Sequence, residues 1–80
     1  MKLILNWEQN KKEIETELSP DFKEFCDKVK NLFNLQDNLQ ITFMDADKDI
    51  VVASDKYDLE YMISNSSNEN PLEVHVKGDK

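Results

Sequence analysis

FMDADKDIVVASDKYDLE, residues 43 to 60, is the stretch on which the reading of this chain turns. Asp45, Asp47 and Asp49 stand at two-residue spacing between an apolar run ending at Phe43 and a second run, Ile50 to Ala53. Alternating apolar residues on both sides of a polar turn predict a strand, a turn over Asp45 to Lys48, and a second strand. Ser54 and Asp55 are helix-start residues, and Leu59, Met62 and Ile63 give the following helix one apolar face. Carboxylates crowded this closely repel one another, and a chain carries them most readily where a cation is to meet them.

Outward from this stretch, the chain divides into short periodic elements. Leu3, Leu5 and Trp7 alternate with Lys2 and Asn6, which predicts a strand over residues 2 to 8. Glu8 to Lys12 reads as a polar turn. Ile14, Thr16 and Leu18 alternate with Glu13, Glu15 and Glu17, which predicts a second strand and a hairpin with the first. Ser19-Pro20-Asp21 opens a helix, with Asp21 as its cap and Glu24 three residues on. Phe22, Phe25, Cys26, Val29, Leu32 and Phe33 form its apolar stripe. Asn34 to Asn38 reads as a loop and Ser64 to Asn70 as another, closed by Pro71. Leu72, Val74 and Val76 then alternate with Glu73, His75 and Lys77 in a last strand, and Gly78 to Lys80 reads as a frayed end. The order ββαββαβ implies an α+β fold of the ubiquitin-like β-grasp kind, a mixed sheet with the long helix across one face.

Bulk properties limit the function. Eighty residues make one domain, read here as one module of a longer protein, and 39% apolar content suffices for a modest core without a deep cleft. No run approaches the roughly 18 to 20 apolar residues that cross a bilayer, and the opening Leu3 to Leu5 is too short for a secretory signal. A single cysteine, Cys26, precludes an internal disulfide and suits a reducing, cytoplasmic setting. A net charge of −7 disfavours nucleic acid and anionic membranes and favours basic protein surfaces. No small-molecule substrate, cofactor or metal is expected. His75 has no second histidine beside it, and Cys26 falls on the helix stripe as core filling.

Calcium fits the aspartates poorly. An EF-hand loop begins with the same alternation but then needs Gly at its sixth position and Glu at its twelfth, where this chain has Ile50 and Lys56. Paired-carboxylate catalysis lacks a pocket, a nucleophile and an oxyanion donor set, so no enzyme is expected. A solvated turn, in which aspartate is common for backbone reasons, is the plain alternative to a charged face for a basic partner.

The stretch resembles the acidic motif of the Phox and Bem-one (PB-one) domain family. That motif runs from an aromatic residue through clustered acids to an apolar strand, then Ser-Asp and an acid opening the second helix. Phe43, Asp45, Asp47, Asp49, Ile50-Val51-Val52, Ser54-Asp55 and Asp58-Leu59 stand at its positions, with Ala46 in place of an acid and Lys48 in place of Gly. The element order is similar along the whole chain.

The resemblance implies a pairing module of the acidic-motif (type I) kind, whose partner is a PB-one domain bearing a lysine on its first strand. It implies that Asp45, Asp47 and Asp49 clasp that lysine, and that Asp55 and Asp58 widen the patch toward a second basic residue. Such domains serve as scaffolds in signalling and in selective autophagy. A two-faced member would also use Lys2, Lys11 and Lys12 and join head to tail. Here Ile4 or Leu5 falls nearest the lysine's place, and Glu13, Glu15 and Glu17 would repel an incoming acidic motif, so a heterotypic dimer is expected. Other ubiquitin-like roles fit less well. A conjugated modifier would end in Gly-Gly rather than Gly78-Asp79-Lys80, and a Ras-association domain would present basic residues.

Overall fold

Seven elements follow one another in the computed structural model, which describes residues 1–17 and 20–80. They are β1 (Lys2–Trp7), β2 (Asn10–Glu15), α1 (Phe22–Phe33), β3 (Asp37–Met44), β4 (Ile50–Ala53), α2 (Lys56–Ser64) and β5 (Leu72–Asp79). The five strands form one sheet in the order β2-β1-β5-β3-β4. β1 and β5 run parallel, and the other three neighbouring pairs are antiparallel. This is the mixed-sheet, ubiquitin-like arrangement that the order of apolar runs predicts.

Side-chain alternation sorts the sheet into two faces. Leu3, Leu5, Trp7, Ile14, Ile41, Phe43, Ala53, Val74 and Val76 point to the covered face and are buried. Phe25, Val29 and Phe33 of α1 and Leu59, Met62 and Ile63 of α2 complete the core against them. Asp21 caps α1, its Oδ1 accepting the Glu24 amide at 3.1 Å. Asn34 ends the helix in the left-handed conformation (φ 57°), which asparagine tolerates better than most residues. Cys26 packs half-buried at the core's edge, and burial raises its thiol pKa.

Four boundaries differ from the sequence-based expectation. The first hairpin turns on Glu8 and Gln9 alone, with Trp7 opposite Asn10. β2 therefore begins at Asn10, inside the expected turn, and ends at Glu15, so Glu17 lies beyond it; the expected Leu18 and Ser19 lie outside the described residues. β3 starts at Asp37, inside the expected loop. The end that reads as frayed is a strand: β5 runs to Asp79, whose carbonyl accepts the Gln36 amide at 2.7 Å. Trp7 Nε1 donates to the Gly78 carbonyl, and the Lys80 ammonium sits 5.0 Å from the Trp7 ring centroid. Gly78 packs close to Leu35: a Cβ there would stand 2.9 Å from its Cδ1, the movable end of that side chain.

Ser66, in the loop before β5, is a buried polar residue without a sequence signature. Its hydroxyl donates to the Lys2 carbonyl and accepts the Leu72 amide at 2.8 Å, tying loop, β1 and β5 together.

Candidate functional site

The five aspartates singled out above fall into two groups with different local duties. Asp45, Asp47 and Asp49 occupy the β3–β4 turn. Asp55 and Asp58 occupy the start of α2.

The turn is organised by its first acid. Asp45 Oδ1 accepts the amides of both Asp47 and Asp49 at 2.9 Å, and its backbone N–H donates to the Asp49 carbonyl at 3.0 Å. Its carbonyl accepts the Lys48 amide at 3.0 Å. A short carboxylate that bonds backbone two and four residues on is the physical reason aspartate starts such turns. Asp45 Oδ2 accepts the Tyr61 hydroxyl at 3.3 Å. Asp47 and Asp49 are exposed, and their carboxylates take part in no hydrogen bond or ion pair among the described residues. The turn thus spends one carboxylate on its own backbone and leaves two projecting into water. Lys48, at the position where the resembling motif carries Gly, adopts φ 65°, the left-handed region that favours glycine.

The second group closes the start of α2. Asp55 is its N-cap, accepting the Asp58 amide at 2.9 Å. Asp58 Oδ2 reaches back to the Ser54 amide and hydroxyl, each at 3.0 Å, a reciprocal arrangement that satisfies donors at both ends of the first turn. Both side chains are therefore committed locally, yet their charge stays at the surface.

Tyr61 connects the groups. Its ring stands edge-on to Phe43, with centroids 5.8 Å apart, and its hydroxyl reaches Asp45. At about 1.5 Å of rise per residue, Asp58 lies about 4.5 Å and Asp55 about 9 Å along the helix from Tyr61. Partial desolvation, then the Asp45 and Asp47 charges, raise the Tyr61 pKa above its ordinary value of 10.0.

The opposite edge of the sheet carries the lysines a second face would use. Lys2 and Lys11 lie on the open side of the sheet, and each has a carboxylate beside it. Lys2 Nζ is 3.6 Å from Glu13, and Lys11 Nζ is 3.0 Å from Glu73, an ion pair that lowers the Glu73 pKa. Lys12 pairs opposite Leu5, on the helix side, and lines a groove with Leu32 and Phe33. The three lysines thus do not converge. Ile4, between Lys2 and Asn6 on the open face, is uncharged.

No group of His, Cys, Asp or Glu among the described residues has a metal-binding arrangement, and no helix among them is long and apolar enough to cross a membrane. Two open grooves at the α1 margins are lined mainly by charged and polar residues, and another, between α1 and the β3–β4 hairpin, is lined by Phe22, Cys26, Leu39, Ile41 and Val52 among others.

The fold is similar to that of solved PB1 domains. One, the "AtNBR1-PB1 domain", superposes with a TM-score of 0.66 at 18% identity, covering 96% of this chain and 97% of that one. Another, from the "Cryo-EM structure of AtNBR1-PB1 filament (L-type)", gives 0.69 at 19% identity and covers 98% of each chain. No curated protein matches the sequence. The PB1 domain family model matches residues 3–79. With that match across nearly the whole length, and with β-grasp strands holding an acidic turn at one end, the chain belongs to the PB1 domain family of protein–protein interaction modules.

Proposed function

We propose that this domain presents its acidic turn to the lysine-bearing face of a different PB1 domain, as one half of a heterotypic pair. The carrying observation is the state of Asp47 and Asp49: exposed carboxylates with no hydrogen-bond or ion-pair partner among the described residues, on a turn that Asp45 holds in shape. Asp45 contributes charge and order, and Asp55 and Asp58 extend the field toward a second cation. An exposed ion pair contributes about 0 to 1 kcal/mol, whereas close pairs in a protected interface couple by about 1.5 to 7 kcal/mol. A micromolar complex needs about 8 kcal/mol, so several carboxylates must act together and the contact must weaken with salt. Such a module suits cytoplasmic scaffolding in signalling or selective autophagy.

A second reading is self-association, favoured by the similarity to a PB1 domain whose solved structure is described as a filament. Against it stand the net charge of −7, the pairing of Lys2 and Lys11 with carboxylates, and Ile4 on the face where a lysine would be needed. The deciding experiment is calorimetry with a basic-face PB1 domain at two salt concentrations, using wild type and the Asp47→Asn/Asp49→Asn variant. Asp45 is left in place because its loss would disturb the turn itself. Binding that weakens with salt in wild type, and that is weaker and far less salt-sensitive in the variant, supports the heterotypic reading. Unchanged affinity in the variant refutes it, and concentration-dependent sedimentation of the domain alone, abolished by the same variant, favours self-association.

A further inference from the structure

The open face of the sheet is divided. On the β2–β1–β5 half it carries Lys2, Lys11, Glu13, Glu15, Glu73 and His75, a mixture of charges. On the β3–β4 half it carries Met44 and Ile50, paired across the hairpin, and Val52, paired with Thr42. These three apolar side chains are 50%, 74% and 46% exposed. They stand on one face because strand residues two apart do, and cross-strand neighbours share it. Scattered exposed apolar residues are ordinary, but three that adjoin on one hairpin form a patch that calls for a partner.

Met44 is the residue before Asp45, and Ile50 is the residue after Asp49. The patch therefore begins where the acidic turn ends, with Asp45 and Asp49 joined by a backbone hydrogen bond between them. A cation seated on Asp47 and Asp49 brings its own protein surface beside Met44 and Ile50. A five-residue turn is also too small an interface by itself: a stable contact buries about 800 Å² on each partner, a substantial part of the 5303 Å² this domain exposes. The contact must spread, and interface centres favour apolar side chains with charges at their margin. A second copy of this chain is a poor occupant, since its own acids would meet the same turn.

We infer that the Met44–Ile50–Val52 patch is the apolar half of the partner contact, covered by side chains that flank the partner's basic residue. This inference rests on the proposed acidic-face reading. The two halves have separable roles: the aspartates set the salt dependence and the patch sets the affinity that persists at high salt.

The test compares wild type, Asp47→Asn/Asp49→Asn and Met44→Thr/Ile50→Thr/Val52→Thr with a basic-face PB1 domain over a series of salt concentrations. Threonine keeps strand preference while removing apolar surface, and thermal unfolding with the amide NMR spectrum checks that each variant folds. The patch variant is expected to bind about tenfold or more weakly at every salt concentration, with the slope against salt unchanged. The aspartate variant is expected to lose most of the slope. On wild type, the methyl signals of Met44, Ile50 and Val52 are expected to shift on partner addition. A patch variant that binds like wild type, or methyl signals that stay in place, overturns the inference while leaving the acidic reading standing. An aspartate variant that binds like wild type, or a wild type that does not bind, overturns both. Should the patch variant misfold, the methyl titration alone decides.

Discussion

Asp45 holds Asp49 in place: the Oδ1 of the first acid in the turn accepts the amide of the last at 2.9 Å. A charge motif is thereby also a folding motif, and the acids are not interchangeable. Asp45→Ala removes the acceptor for two amides and is expected to cost about 1 to 2 kcal/mol of stability and to loosen the turn. Asp45→Asn keeps an acceptor oxygen and is expected to cost less than half as much. Chemical denaturation measures both, and amide exchange at Asp47 and Asp49 reports the loosening.

Lys48 occupies a left-handed position (φ 65°) inside the acidic turn. Lys48→Gly relieves backbone strain but frees the unfolded chain, so stability is expected to change by less than about 1 kcal/mol. Removing its charge strengthens the local negative field, and association with a basic partner is expected to quicken by a fewfold at low salt, the gain fading as salt rises. Stopped-flow association rates check this.

Tyr61 ionises later in the folded domain than in the unfolded chain, because partial desolvation and Asp45 disfavour the phenolate. A raised folded pKa means that the native state holds its proton more tightly. The contribution is whole below the ordinary value of 10.0 and is lost as pH rises through the folded value. Stability is expected to fall above about pH 10 in wild type and to fall less steeply in Tyr61→Phe, as measured by denaturant midpoints between pH 8 and 11.

Gly78 leaves room for Leu35, which is buried. Gly78→Ala is expected to change stability by less than about 1 kcal/mol, a small shift of the Leu35 side chain being offset by a stiffer unfolded chain, and to alter protection only locally at the end of β5 and the start of β3. Thermal unfolding measures the first and hydrogen exchange the second.

The two helices were legible because their stripes and caps are strong local signals. Phe25, Val29 and Phe33 fall at helical spacing, and Asp21 and Asp55 cap where sequence places them. The start of β2 was hidden because Asn10, Lys11 and Lys12 lie on an edge strand at the sheet's rim, where no apolar alternation is imposed. The end of β5 was hidden because Gly78 and Asp79 are held by backbone and side-chain bonds to Trp7, Gln36 and Asn38. At the acidic turn the letters showed charge and spacing. They did not show that Asp45 turns inward on its own backbone while Asp47 and Asp49 face water. The Met44–Ile50–Val52 patch was unreadable for a related reason, since alternation identifies two faces of a strand without saying which one is covered.

A charge exchange between partners tests the central claim most directly. Asp47→Lys/Asp49→Lys in this domain is predicted to abolish binding to a lysine-bearing PB1 domain, and reversing that partner's first-strand lysine to Asp is predicted to restore it. Restoration by the double reversal would establish that these two carboxylates meet that ammonium. Undiminished binding after the single reversal, or no recovery after the double with both proteins folded, would contradict the account.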